Sequence, residues 1–241
     1  MNCSMPESSM TLRHRDIWQQ FCLAQQIRNT GVPLFETSEE GRVSTTTIGT
    51  ENCRHVLLRS KEMEALIVRE TDKLVSDWRS GSKEYDGLIY LMYTARREEE
   101  IIPLYIGKTE TIGKGDGNLS VNVFNLQRDR SKFARWGDNY AYHIGDLSAV
   151  SLAGHSLSKV TSKYKRWADQ LFESYPAQNP KLKTPVFFWA KAWGSHETGI
   201  WREFGPTRLT FLEYLLIGVA SSAYPETLLN IEGHNRNCSA K

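Results

Sequence analysis

Three residues stand out for chemistry: Glu213, Tyr90 and Tyr105. On a helical wheel Glu213 lies beside Leu209, Leu212, Leu216 and Ala220, so its carboxylate is turned toward apolar packing. An unpaired buried charge is costly, and such a group needs an arginine, a metal ion or a hydrogen-bond network. The ordinary account is a salt bridge or a rim residue. Tyr90 and Tyr105 sit in two aliphatic-aromatic runs, Gly87–Tyr93 and Ile101–Gly107. Alternate residues of a strand share a face, so both phenols can meet on one side of a hairpin. Gly107 leaves the backbone room to approach a ligand. Packing is the ordinary role of tyrosines in strands.

The elements that position these residues can be read from periodicity and breakers. Ile17, Phe21, Ala24 and Ile27 step by three or four, which predicts a helix over 11–29 stopped by Gly31 and Pro33. The polar stretch Glu36–Arg54 reads as an exposed loop or a short irregular strand. A second helix is expected over Lys61–Arg79, ended by Gly81. After the two strands, joined by the charged turn 96–100, a polar loop covers Lys108–Gly117. A helix is expected over Leu119–Trp136, a strand over Ala141–Leu147, and a helix over Ser156–Ser174 with the stripe Leu157, Val160, Tyr164, Trp167 and Leu171. A strand over Thr184–Trp193 and an apolar helix over Leu209–Ser221 complete the order.

Composition excludes several classes. The chain has 241 residues, 40% hydrophobic and 24% charged, ordinary values for a globular protein with a real core. The net charge of +2 permits nucleic-acid binding without arguing for it. Cys3, Cys22, Cys53 and Cys238 form no Cys-x-x-Cys pair, so free thiols in a reducing compartment are expected and zinc is not. Residues 1–10 are expected to be frayed, with no signal-peptide pattern, and no run approaches a membrane span. A cytoplasmic location without membrane contact follows as the expectation.

Taken together, these segments resemble the GIY-YIG nuclease superfamily. Leu88-Ile89-Tyr90 stands at the first motif, with Gly87 one place earlier than usual. Tyr105-Ile106-Gly107 matches the second motif, and Lys108-Thr109 continues it. Glu213 resembles the family's metal-binding glutamate, and Pro225 to Asn230 its closing segment. The resemblance runs from about Tyr85 to Asn235. It implies an α/β (α+β) fold: a small three-stranded, mainly antiparallel sheet flanked by helices. The domain would span 85–241, with an inserted helix around 156–174, behind an N-terminal helical extension with a polar loop over 1–84. The insertion is closer to restriction-type members than to minimal ones. The loop between the two tyrosines is longer than in compact members.

The resemblance further implies one Mg²⁺ or Mn²⁺ on Glu213, an arginine on the scissile phosphate, and tyrosines around the attacking water. Arg135 is favoured for the arginine and Arg128 is second. Both are farther from Tyr105 than in minimal domains. Tyr90, assisted by His143, is assigned as base and Tyr105 as the positioning group, although a free tyrosine has a pKa of about 10. A lone histidine in a strand is more often a satisfied structural residue. Asn230 would orient substrate or a neighbouring group. Lys159, Lys163 and Arg166 share one face of the inserted helix and, with Lys108 and Arg128, could follow a DNA backbone. A solvated amphipathic face is the plain alternative. The expectation is a metal-dependent DNA endonuclease of restriction or phage-defence type, acting on double-stranded DNA and compatible with a homodimer. The alternative is a catalytically silent module of the same fold that binds nucleic acid or a partner.

Overall fold

The computed structural model describes residues 9–50, 53–96, 100–115, 117–126 and 128–233. Most of the expected frayed segment, Cys3, Cys238 and the centre of the charged turn at 97–99 lie outside the described residues. The elements are α1 (Ser9–Ala24), α2 (Ile27–Thr30), β1 (Val32–Pro33), β2 (Thr45–Ile48), β3 (Arg54–Leu57), α3 (Lys61–Ser80), β4 (Tyr85–Ala95) and β5 (Ile101–Glu110). They continue with α4 (Val121–Phe124), α5 (His143–Ser151), α6 (Ser162–Leu171), β6 (Phe187–Gly194) and α7 (Leu209–Ala223). Among the described residues, no helix is long and apolar enough to cross a membrane.

The fold is mixed α+β, with a four-stranded antiparallel sheet in the order β1-β6-β4-β5 and a separate hairpin, β2–β3. The sheet exceeds the three strands expected. Its third long strand is β6, and β1, from the presumed extension, adds a fourth. Through β1 the part of the chain before residue 85 joins the sheet, and α1 and α3 lie on its two faces. Tyr90 and Met92 point into one apolar layer, shared with α3, α5, α6 and the hairpin. Ile89, Leu91 and Tyr93 point into the other, shared with α1 and α7. That alternation is what a strand covered on both faces requires.

Local chemistry sets these elements. The Ser60 side chain accepts from Met63 N at the start of α3, and Gly81 closes the helix with φ 74°. Buried Glu70 on α3 accepts from Ala192 N at 3.0 Å and Lys73 Nζ at 2.7 Å, which docks the helix on β6. Those bonds outweigh the effect of burial and hold its pKa below the usual carboxylate value.

Three expectations fail locally. The helix over Leu119–Trp136 reduces to α4 and a 3-10 turn at Arg130–Lys132. Asp129 accepts from Ser131 N at 3.0 Å, a local bond that competes with helix continuation, and Ala134 and Arg135 take φ of 40° and 71°. The strand over Ala141–Leu147 is helix α5 instead. That helix is buried on nearly every side, so its apolar run lacks helical periodicity. The inserted helix begins only at Ser162, capped by Thr161, and Leu157 lies outside it, 87% exposed.

β5 is an edge strand, and its outer backbone groups are closed by the chain that follows α7. Leu229 N donates to Leu104 O at 2.7 Å, and Thr227 Oγ1 donates to Pro103 O at 3.2 Å. Asn230 takes both groups of Ile106, accepting from N at 3.0 Å and donating to O at 2.8 Å. Across the ladder Tyr90 pairs with Gly107 and Met92 with Tyr105. A Cβ on Gly107 would stand 2.5 Å from Tyr90 Cε2, so only glycine lets that ring lie across the strand. Gly107→Ala is expected to destabilise the fold by about 1–3 kcal/mol through overpacking. Urea unfolding measures this, and an unchanged midpoint would refute the ring's placement.

Candidate active site

Tyr90 is set by β4 and is 4% exposed. Its ring is 6.4 Å from Tyr105, stacked on Phe188 at 6.1 Å and edge-on to Trp136 at 5.9 Å. Burial pushes its pKa well above the ordinary tyrosine value, and Tyr105 and Glu213 add to that rise. A buried phenol so disfavoured as phenolate is a poor base. Tyr105 is only partly buried, and its ring lies 5.1 Å from His143 and 4.8 Å from Trp167. Burial and the charge of Glu213 raise its pKa to about 12, with Arg135 opposing. Both hydroxyls are therefore neutral donors near pH 7.

Arg135 follows Ala134 in two consecutive left-handed conformations, uncommon for residues with a Cβ. This turn places its guanidinium 5.6 Å over the Tyr142 ring. Its charge acts on Tyr90, Tyr105, Tyr164, His143 and Lys163. Lys163, on α6, lies 5.7 Å from the Tyr105 ring centre and 5.1 Å from that of Tyr164. Burial and then Arg135 hold its pKa below the ordinary lysine value. Among the described residues, neither cation has a carboxylate within 4.0 Å, although Asp146 and Glu232 act on Lys163 from farther away. Two positive charges thus act on each other beside a phenol, an arrangement that an anion would relieve.

His143 occupies the first turn of α5 rather than a strand. Its Nδ1 is 2.8 Å from Tyr164 Oη, and its ring stacks on Trp167 at 5.1 Å. Burial, then Lys163 and Arg135, push its pKa well below the ordinary value, so it is neutral. Tyr164, Trp136 and Trp167 complete this wall. The sequence marked the first and last as a core stripe, and nothing in their spacing announced a site. The indole N–H groups of Trp136 and Trp167 are buried without hydrogen-bond partners.

Glu213 comes from α7, whose apolar residues pack in the opposite layer, and the backbone of Lys108 on β5 acts on its carboxylate. Burial raises its pKa, Lys108 opposes the rise, and Glu110 and Glu232 add to it. Its charge is felt by both tyrosines. No group of three or more His, Cys, Asp or Glu ligands exists among the described residues. A hard cation here would rest on one carboxylate and complete its shell with water or substrate oxygens, which suits Mg²⁺ or Mn²⁺.

The remaining sequence candidates separate. Lys108 borders Glu213, its amine 2.6 Å from Glu110 Oε1. Asn230 sits beside the site, but both ends of its amide are committed to Ile106, so it braces β5 rather than orienting substrate. Arg128 is exposed over Phe124 at 4.5 Å, away from the phenols, which leaves Arg135 as the arginine of the cluster. Lys159 lies on the 3-10 turn ahead of α6, 4.8 Å over Tyr140, so it does not share a helix face with Lys163 and Arg166. Arg166 is exposed beside Asp169 and Glu226. Two further basic residues, Lys181 and Lys191, are paired with Glu173 and Glu197.

Because His143 is neutral in the fold but titrates near 6.5 unfolded, the unfolded chain binds more protons below that pH. Its contribution to stability is complete above about pH 6.5 and lost as pH falls toward its depressed folded value. His143→Gln is expected to flatten the fall in melting temperature between about pH 6.5 and 5. Parallel curves for variant and wild type would disprove the buried neutral imidazole.

Comparison with known proteins gives no matching family model, no matching curated protein and no matching solved structure.

Proposed function

We propose that this chain is a metal-dependent endonuclease of GIY-YIG type, hydrolysing phosphodiester bonds in DNA, with double-stranded DNA as substrate. The observation that supports the reading is that two cations, Arg135 and Lys163, and a carboxylate, Glu213, all act on the tyrosine pair, with Asp146 and Glu232 only partly offsetting the charge of Lys163.

Arg135, with paired donors, and Lys163, as a point charge, hold the scissile phosphate and offset its growing charge. Tyr105, the more accessible phenol, donates to the attacking water or a phosphate oxygen and orients it. Tyr90, too buried to act as base, supports the Tyr105 ring. His143, buried and flanked by Lys163 and Arg135, is as disfavoured in its charged form as Tyr90; with Nδ1 engaged by Tyr164 it braces the aromatic wall, and the water's proton leaves to solvent. Glu213 is the residue that would hold the divalent ion, whose chemistry is stabilisation of the leaving oxygen. The silent-module reading draws support from the Glu213 bond to Lys108 N, since that carboxylate already has a structural task.

Purified protein with Mg²⁺ or Mn²⁺ is expected to nick plasmid DNA. Glu213→Gln, which keeps an acceptor for Lys108 N but no charge, and Arg135→Ala should each lower the rate by about 10²-fold or more. Full activity of Glu213→Gln would remove the metal role. An inert wild type that still binds DNA would establish the silent module.

A further inference from the structure

A cavity of about 750 Å³ opens where the end of α3, the segment after β5 and the start of α7 meet. Its volume is within the range of about 300–1,000 Å³ usual for ligand sites. Trp78 and Ile112, each 40% exposed, and half-buried Tyr85 supply its apolar walls. The Trp78 indole is fixed by a bond from Nε1 to Gly117 O at 3.3 Å.

The position ties this cavity to the proposed phosphate site. Glu110 lies two residues along β5 from Lys108, and Leu209 one turn along α7 from Glu213. From Tyr105, five residues along β5, the cavity is about 17 Å away, roughly five base steps along a nucleic-acid strand. The charges lining it argue against a phosphate: Asp77, Asp86 and Glu110 outnumber Lys83 and Arg208. Asp86 Oδ2 is committed to Arg208 Nε at 2.7 Å and Leu209 N at 3.1 Å. Glu110 Oε1 is committed to Lys108 and Thr210, whereas its Oε2 has no protein partner among the described residues. An aromatic wall beside an available carboxylate acceptor suits a flat group that carries an amino donor.

We infer that this cavity receives one amino-bearing nucleobase of the substrate strand, swung out of its pair, stacked on Trp78 and read by Glu110, a few nucleotides along the strand from the phosphate held at Tyr105 and Arg135. Stacking supplies sequence-tolerant affinity. The carboxylate favours cytosine, with its exocyclic donor, over thymine, which offers a carbonyl at that edge. The inference rests on the nuclease reading for its substrate.

The test is equilibrium binding of fluorescent oligo-dC and oligo-dT to the full chain in EDTA, where no cutting occurs. Wild type is expected to prefer oligo-dC about tenfold. Glu110→Gln should erase the preference, and Trp78→Ala should weaken both oligomers about tenfold. Trp78→Phe, which keeps a stacking face, should restore most of the binding and shows that the loss is not unfolding. Equal affinities for the two oligomers, or no effect of Trp78→Ala, would overturn the inference. If that happens while plasmid nicking still depends on Glu213, the cavity proposal alone fails. If the preference holds in a protein that never cuts DNA, the cavity stands as a base site and the nuclease reading fails. If neither oligomer binds and no DNA is cut, both are wrong.

Discussion

The open edge of β5 is the constraint on which the rest of this molecule depends. A strand at the end of a sheet leaves backbone donors and acceptors without partners, and proteins must cover or pair them. Here the chain after α7 returns along that edge and binds Leu104 and Ile106 through Leu229 and Asn230. The next outward N–H, that of Lys108, goes to Glu213. Closing the edge thus fixes α7 against the strand and brings its one inward-turned carboxylate to the strand that carries Tyr105. Structural necessity and candidate chemistry share the same bonds.

The opposite layer solves a different problem, which is to hold cations near aromatic rings without neutralising them. Arg135 reaches its place through two left-handed residues. Lys163 reaches its place because Thr161 starts α6 two residues earlier. Trp136, Trp167 and Tyr164 then pack around His143, whose ring bonds to Tyr164 and whose backbone N–H donates to Arg135 O. Rings with negative faces let positive groups approach without a carboxylate, at modest energy. The cations stay available while the pocket wall remains apolar enough to keep His143 neutral.

Much of this was legible in the sequence, for reasons that differ by element. α3 was bounded correctly because Ser60, Gly81 and a regular apolar stripe agree. β4, β5 and β6 were visible because β-branched and aromatic residues cluster there and strands covered on both faces are continuously apolar. Glu213 was visible because a carboxylate on an apolar stripe needs a partner. α5 was misread because a helix buried on nearly all sides loses its period. The segment before it was misread because Asp129 and Ser131 bond locally, and left-handed Ala134 and Arg135 leave no trace in residue type. Asn230 is bound to Ile106, one residue from Tyr105. Its task, satisfying a strand edge, depends on which neighbour the strand lacks, and that is a property of tertiary pairing alone.

The mutual repulsion of Arg135 and Lys163 has a thermodynamic consequence. Like charges held beside low-dielectric rings are a source of frustration that folding tolerates and binding removes. A multivalent anion between them would exchange repulsion for attraction in the native state alone, since the unfolded chain does not hold the two groups together. Occupancy and folding are then linked equilibria: ligand concentration acts on stability through mass action, and added salt weakens both the repulsion and its relief.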